Sequence, residues 1–315
     1  MKVLITGGLG YLGGRIADHL LELGFDIRLG STRTNPDIPD SLSECEIVEF
    51  DLLDSKSLDF ACQGVEVILH LAGMNAQNCA TDPEQALLIN GLGTLKLLKA
   101  AEKNNVQKFL YFSTAHVYGS PLEGQITEKT LPQPIHPYSI THRLAEDYVM
   151  EANKNKLIQG AVYRLSNAVG SSLDMKVDCW SLVVNDLCRQ VITQRNMKIL
   201  SNKYIERDFV TISSVCGAVS YFISSIDDSL NGEIFNISNG VAISLSDLSE
   251  LLATRAELVL GYLPKIRFQN KSDLHPIVPL KISSQKIDNA GFTFISDFNQ
   301  EIDDLLLNCR DWFGK

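Results

Sequence analysis

The sequence predicts an α/β protein: a doubly wound parallel sheet with a smaller, interleaved α/β lobe. Three observations carry this. Short apolar runs bounded by turn residues alternate with helix-periodic segments through the first half, as parallel βαβ units require. A glycine-spaced turn separates the first strand from the first helix. The chain has 315 residues, beyond the roughly 250–300 at which single cores stop growing, so a second lobe is expected.

In chain order, "KVLITG", "DIRLGS", "EIVEFDL", "VEVILHLAG", "KFLYFST" and "GAVYRLS" are rich in β-branched and aromatic residues and end in Gly, Ser or Asp, which marks them as strands. "YLGGRIADHLLELG", the segment after Asp54, "PEQALLINGLGTLKLLKAAEKN" and "YSITHRLAEDYVMEANKN" carry the three-to-four spacing of helices. The second half is less regular. It offers a helix near "CWSLVVNDLCRQVI", strands "RDFVTI" and "GEIFNIS", a helix at "SLSDLSELLA" and a closing helix near "EIDDLLLNCRDWF". No repeat or linker divides the chain. The expected division is a dinucleotide-binding domain over 1–165 with about 205–235, and a substrate lobe over about 166–204 and 236–315.

A net charge of −10 without a Lys/Arg cluster argues against nucleic acid as a partner. Seven scattered cysteines, odd in number and never spaced CxxC, read as reduced thiols of a cytoplasmic protein. "MKVLITGG" meets glycines at once and reads as a strand, not a signal peptide. No apolar run reaches the about 18 residues of a membrane span, so no membrane association is expected.

Chemistry is concentrated in two places. In "ITGGLGYLGG", Gly7, Gly10 and Gly13 stand in a GxxGxxG spacing between strand and helix. The first permits a tight turn, the second admits a pyrophosphate, and the third lets helix and strand approach; the helix N-terminus then attracts the anion. In "HPYSITHRLAED", Tyr138 and His142 are four residues apart. At about 100° per residue they lie about 40° apart on a helix and face the same way, whereas Arg143 lies about 140° from Tyr138.

An ordered series of motifs extends over nearly the whole chain: "TGGLGYLG", "DLLD" at 51–54, "HLAG" at 70–73, Asn90 in "DPEQALLINGLGTLKLL", "YFSTAHVYG", "YRLSNAVG", "RDFVTISSV" and "GEIFNISNG". The series resembles the extended short-chain dehydrogenase/reductase superfamily, in its NAD(P)-dependent nucleotide-sugar epimerase and dehydratase branch. The resemblance implies a Rossmann-like cofactor site with contacts from Gly7, Gly10, Tyr11, Leu12, Gly13, Asp51, Leu52, Leu71, Ala72, Gly73 and Asn90. It also implies Tyr138 as the acid/base, Thr114 as the hydroxyl orienting substrate, and Asn167 and Arg207 as substrate contacts. Apolar faces on the helices from Pro83 and Tyr138 would join two copies in a homodimer.

The departures matter as much. Where the family has a lysine four residues after the tyrosine, this chain has His142, which keeps the cofactor-binding and catalytic place in a YxxxH motif. A unit cation about 4 Å away at an effective dielectric near 20 contributes roughly 4 kcal/mol, about three pKa units. Imidazole supplies that only when protonated. Three readings stay open: His142 does a weaker version of the lysine's work; the protein is a catalytically weak dinucleotide sensor or scaffold; or the histidine and tyrosine are merely structural. Ser31 stands where the resemblance would put an acid, and Arg33 follows, which favours NADP over NAD. The dehydratases' acidic pair is replaced by Ala115 and His116, so loss of water is not expected. "GSS" replaces a Gly-Pro after strand six, "LSNKY" lacks glycines, and Lys271 is the cation near "NKSD" where an arginine is usual. His116, His136 and His142 fit no metal-ligand spacing, so no metal is expected. The reading is NAD(P)-dependent epimerisation, reduction or oxidation of a nucleotide-linked sugar, with a small-ketone reductase as a further alternative.

Overall fold

The computed structural model describes residues 1–33, 36–225, 230–269, 278–294 and 297–314. Among them the first half runs β1 (Lys2–Thr6), α1 (Tyr11–Glu22), β2 (Asp26–Ser31), β3 (Glu46–Glu49), α2 (Ser55–Cys62), β4 (Val67–His70), α3 (Ala76–Thr81), α4 (Pro83–Ala86), α5 (Thr94–Lys103), β5 (Lys108–Thr114), β6 (Gly124–Ile126), α6 (Pro137–Lys154) and β7 (Gln159–Leu165). The second half runs β8 (Asn167–Val169), α7 (Val183–Gln194), β9 (Asn196–Ile199), β10 (Glu206–Thr211), α8 (Ile212–Ser224), β11 (Ile234–Ile237), β12 (Ala242–Ser244), α9 (Leu245–Leu260), β13 (Lys265–Phe268), β14 (Leu280–Ile282), α10 (Gln285–Asn289) and α11 (Phe298–Phe313).

Seven strands form one parallel sheet in the order β11-β7-β5-β4-β1-β2-β3. The order reverses between β1 and β4, and a ligand crevice opens beyond the strand ends at such a point. Helices cover both faces, which is why the strands are buried throughout rather than alternating. Val3, Ile5, Leu69 and Leu110 face one layer of the core; Leu4, Ile68, Phe109 and Tyr111 face the other. All seven cysteines are unpaired and buried.

The smaller lobe is built on a three-stranded sheet, β12-β10-β8, and on α7, α9 and α11, which share a separate apolar core. β10 joins β8 in this sheet, while α8 packs beside α1 and β11 returns to the central sheet. The seam between the lobes is fastened at α1. The Tyr11 hydroxyl donates to the Gly170 carbonyl (2.9 Å), and Arg15 Nη1 donates to the Ser171 carbonyl (2.8 Å) and to Glu301 on α11 (3.2 Å). No helix of the described residues is long and apolar enough to cross a membrane.

A buried ion pair fixes α6 on the sheet. Arg164 of β7 meets Glu146 of α6 through Nε–Oε1 (2.9 Å) and Nη2–Oε2 (2.6 Å), and Ser113 of β5 donates to the same carboxylate at 2.5 Å. Both charged side chains are essentially inaccessible. The Arg164 guanidinium also lies 4.8 Å from the centre of the Tyr118 ring, so its face meets π density where water is excluded. Removing one partner of such a pair strands the other's charge, which costs about 3–5 kcal/mol. Glu146→Ala should therefore lower unfolding stability by about that amount in urea denaturation; a loss below about 1 kcal/mol would mean that Arg164 finds other partners.

Candidate active site

The site grows from the end of β1. Gly7 holds φ +68°, a left-handed conformation that favours glycine. A Cβ on Gly13 would lie 2.3 Å from the Gly7 carbonyl oxygen, so the third glycine is required for the helix to start this close. No side chain caps α1 at Gly10, and its first turn contains no acid, leaving backbone N–H groups and a positive helix end for an anion.

A cavity of about 400 Å³ adjoins this turn, lined by Gly7, Gly10, Ser31, Arg33, Asp51, Leu52, Ala72 and Gly73 among others. Leu9, Gly30, Thr32, Phe50, Met74 and Ile89, which were not among the expected contacts, line it too. The Phe50 ring lies so close to Gly30 that a Cβ there would come within 2.2 Å of it. A glycine at a strand end is the available sequence signal for such an approach. The residues present thus fit a nucleotide: an anion-binding helix end, then an apolar slot, then Arg33 and Ser31 at its rim.

Other predicted cofactor residues act from behind. Asn90 is buried in a π-helical turn spanning Leu87–Gly93, a distortion often found at functional sites. Its Oδ1 accepts from Met74 N (2.8 Å) and its Nδ2 donates to Thr141 Oγ1 (3.1 Å), so it shapes the loop after β4 and ties it to α6. His70 extends the linkage. Thr94 donates to the Asn90 carbonyl (2.6 Å), so Thr94 Oγ1 accepts from His70 Nε2 (3.0 Å), which leaves His70 Nδ1 to accept from Thr6 Oγ1 (2.7 Å). Thr6 Oγ1 in turn accepts the amides of Leu71 and Ala72, both at 3.1 Å. Burial pushes the His70 imidazole down to about 3, consistent with this neutral form. His70, Thr6 and Thr94 stand inside the quoted motifs, but sequence reading gave them no role.

A second cavity, about 520 Å³, opens between the lobes and is lined by Thr114, Tyr138, Asn167, Arg207, Tyr11 and Leu12, with His116 beside them. Thr114 Oγ1 accepts the His116 amide (3.2 Å) and bonds the Tyr138 phenol. Burial pushes that phenol up to about 12, with the nearby Cys79 thiol adding to the rise and Thr114 opposing it. No cation contributes. Asn167 donates to the Asp208 carbonyl (2.8 Å), which fixes it at the cleft wall.

His142 does not line either cavity. Its ring is buried 4.1 Å from the Tyr138 ring, centre to centre, and Nδ1 donates to the Tyr138 carbonyl at 2.8 Å. A carbonyl can only accept, so Nδ1 carries a proton, and in the neutral imidazole Nε2 is then the acceptor. Burial moves its pKa down to about 4, against smaller opposing effects of that carbonyl and Glu146. The positive charge expected of the lysine position is therefore absent at neutral pH. Arg143 does not replace it, being bonded to Glu146 and Asp147 on its own helix.

Arg207 forms no ion pair with any described residue, and burial lowers its pKa. The adjacent Asp208 is not its partner; that carboxylate accepts the Asn239 amide at 3.0 Å. Lys271 lies outside the described residues. Among the described residues, no group of three His, Cys, Asp or Glu side chains is placed to hold a metal ion.

Comparison with known proteins agrees with this geometry. A protein of Methanocaldococcus jannaschii, provisionally named a UDP-glucose 4-epimerase, is 28% identical over 254 residues, covering 79% of this chain and 81% of that protein. The GDP-6-deoxy-D-mannose reductase of Pseudomonas aeruginosa is 29% identical over 221 residues, 67% and 70% of the two chains. Several other curated relatives are longer, and the matched stretch spans only 42–52% of their length. The fold is shared with Thermus thermophilus UDP-glucose 4-epimerase in complex with NAD (TM-score 0.81, 21% identity, 98% and 99% covered). It is shared too with a Pseudomonas aeruginosa structure, RMD complexed with NADPH (TM-score 0.79, 22% identity, 98% and 99% covered). The model of the NAD dependent epimerase/dehydratase family matches residues 3–238. With its glycine turn, switch-point crevice and paired hydroxyls, the chain belongs to that family of enzymes.

Proposed function

We propose that this protein is an NAD(P)-dependent epimerase, reductase or oxidase that transfers hydride at one carbon of a nucleotide-linked sugar, and is not a dehydratase. The observation that carries the reading is the pairing of Thr114 and Tyr138 hydroxyls in the interlobe cleft, next to an uncapped glycine turn. The turn and Arg33 would hold the dinucleotide, with Asp51, Leu52, Ala72 and Gly73 around it. The nicotinamide supplies hydride chemistry when bound. Tyr138 moves the hydroxyl proton, Thr114 orders the phenol and the substrate oxygen, and Asn167 and Arg207 hold the nucleotide-sugar side. In this division the central sheet serves the cofactor and the smaller lobe serves the substrate. With Ala115 and His116 after Thr114, no carboxylic acid stands there to expel water.

Arg33 and the absence of an acid at Ser31 favour NADP, since a 2′-phosphate would meet a guanidinium and a hydroxyl. Leu87, Leu88 and Leu92, with Ile140 on α6, are exposed apolar residues that a second copy would cover in a homodimer.

Three experiments test the reading. With Tyr138 high and His142 neutral, little tyrosinate exists at pH 7, so kcat/KM for the oxidative half-reaction should climb about tenfold per pH unit from pH 7 to 9. His142→Lys should add the missing cation, raise turnover of UDP-glucose near pH 7 by up to about a thousandfold, and shift the profile to lower pH. No gain, with cofactor still bound, would refute the charge argument. Separately, Arg33→Ala should weaken NADP roughly 10- to 100-fold, as loss of a charge-assisted bond implies, and leave NAD nearly unchanged in calorimetric titration; equal weakening of both would remove the case for NADP.

A further inference from the structure

One segment of the smaller lobe borders both ligand sites. Residues 171–182 lead from β8 to α7, and on the way they pass beside the glycine turn. A third cavity, about 280 Å³, lies between them and the turn; Gly10, Gly14, Arg33 and Asp37 line it on one side, Leu173 and Lys176 on the other. Gly10 and Arg33 also line the cofactor cavity, so the two spaces adjoin. Farther along the segment, Asp178, Ser181 and Leu182 line the interlobe cleft.

The segment is held unevenly. Near its ends it is firm: the buried Ser171 accepts from Asn308 of α11 at its hydroxyl (2.8 Å) and from Arg15 at its carbonyl (2.8 Å). Cys179 is buried, and Trp180 packs edge-on against Trp312 and Phe313 of α11, with ring centres 6.0 and 4.9 Å apart. The middle meets the cofactor domain through Leu173, which rests against Gly14 of α1, and through two polar pairs. Lys176 Nζ donates to Asp37 Oδ2 (2.7 Å), and Asn75 Nδ2 donates to Asp178 Oδ2 (3.3 Å). Lys176 and Asp37 are 62% and 82% exposed, so water and salt compete for their pair and it adds little stability. Firm ends with a weakly tied middle suit a movable cover; a permanent wall would be tied by buried groups.

The two ties also show what is covered. Asp37 follows β2 and Asn75 follows β4, the strands on either side of β1, whose end carries the glycine turn. A strap pinned on both sides of that turn spans the crevice in which a dinucleotide would lie.

We propose that residues 172–180 are a gate for the dinucleotide: the Lys176–Asp37 and Asp178–Asn75 pairs hold it shut, and it swings aside for the cofactor to enter or leave. Lys176 and Asp178 are here positioning residues, and the inference rests on the dinucleotide site of the proposed function. Because opening precedes both entry and exit, loosening a tie speeds the two alike and leaves affinity unchanged.

Stopped-flow mixing of the full-length protein with NADPH reads both rates, through energy transfer to the reduced nicotinamide from Trp180 and Trp312, the two tryptophans of the chain. Lys176→Met should raise the association and dissociation rate constants together by about two- to fivefold, the range open to an exposed ion pair, with Kd unchanged. Adding Asn75→Ala should raise both further. Exchanging the charges, Asp37→Lys with Lys176→Asp, should return both rates to their original values, which damage to folding or packing would not do. Faster dissociation with unchanged association, and affinity weakened in proportion, would make Lys176 a direct ligand of the cofactor and overturn the gate. Rates unaltered in Lys176→Met and in the double variant would overturn it as well. Failure of the unaltered protein to bind either NADPH or NADH would instead remove the dinucleotide reading, and this inference with it.

Discussion

Within one turn of α6, the Tyr138 carbonyl takes the proton-bearing nitrogen of His142. Most of the site's chemistry depends on this short contact. It fixes which imidazole nitrogen carries hydrogen, holds the ring tilted by 45° beside the phenol, and keeps it buried where a second proton is expensive to add. A lysine has three donors and a permanent charge at this distance; a neutral imidazole has one donor, already committed, and one acceptor. The electrostatic support of the phenol therefore has to come from elsewhere; under the proposed function the oxidised nicotinamide would supply it.

Geometry, by contrast, is held strongly. Glu146 and Arg164 pin α6 to β5 and β7, so Tyr138 and Thr114 are presented by elements that cannot slide independently. On the other side, a chain of hydrogen bonds runs from Thr6 through His70 and Thr94 to Asn90, and from Asn90 to Thr141 on α6. Its members come from two strands, the π-helical turn and two α-helices. Any shift of the loops at the β1 and β4 ends is thereby coupled to the helix that bears the tyrosine. Position is preorganised while charge is not, a combination that predicts firm cofactor binding and slow proton transfer.

Much of this was legible in the chain before any coordinates. The glycine turn could be read because its logic is local: seven residues fix strand end, turn and helix start. Tyr138, Thr114, Asn167 and Arg207 could be placed at one cleft because the motif series fixes their order on the sheet. The state of His142 could not be read, since it depends on burial by Tyr111 and on a carbonyl that only a finished helix presents. The His70 relay was hidden for a similar reason: its partners are 64 and 24 residues away, and no periodicity marks them. The π-helical turn around Asn90 reads as ordinary helix, because one extra residue in a turn leaves the apolar pattern nearly intact. Arg207 could have paired with Asp208 on sequence grounds; strand alternation sends neighbouring side chains to opposite faces, and each finds a different environment.

The central claim is that His142 is uncharged at the pH where the enzyme works. Nitrogen-15 NMR of the labelled imidazole reads both ring nitrogens directly. Between pH 6 and 8 the account predicts one protonated nitrogen, Nδ1, and an unprotonated Nε2 that does not titrate. A doubly protonated ring at pH 7 would contradict it.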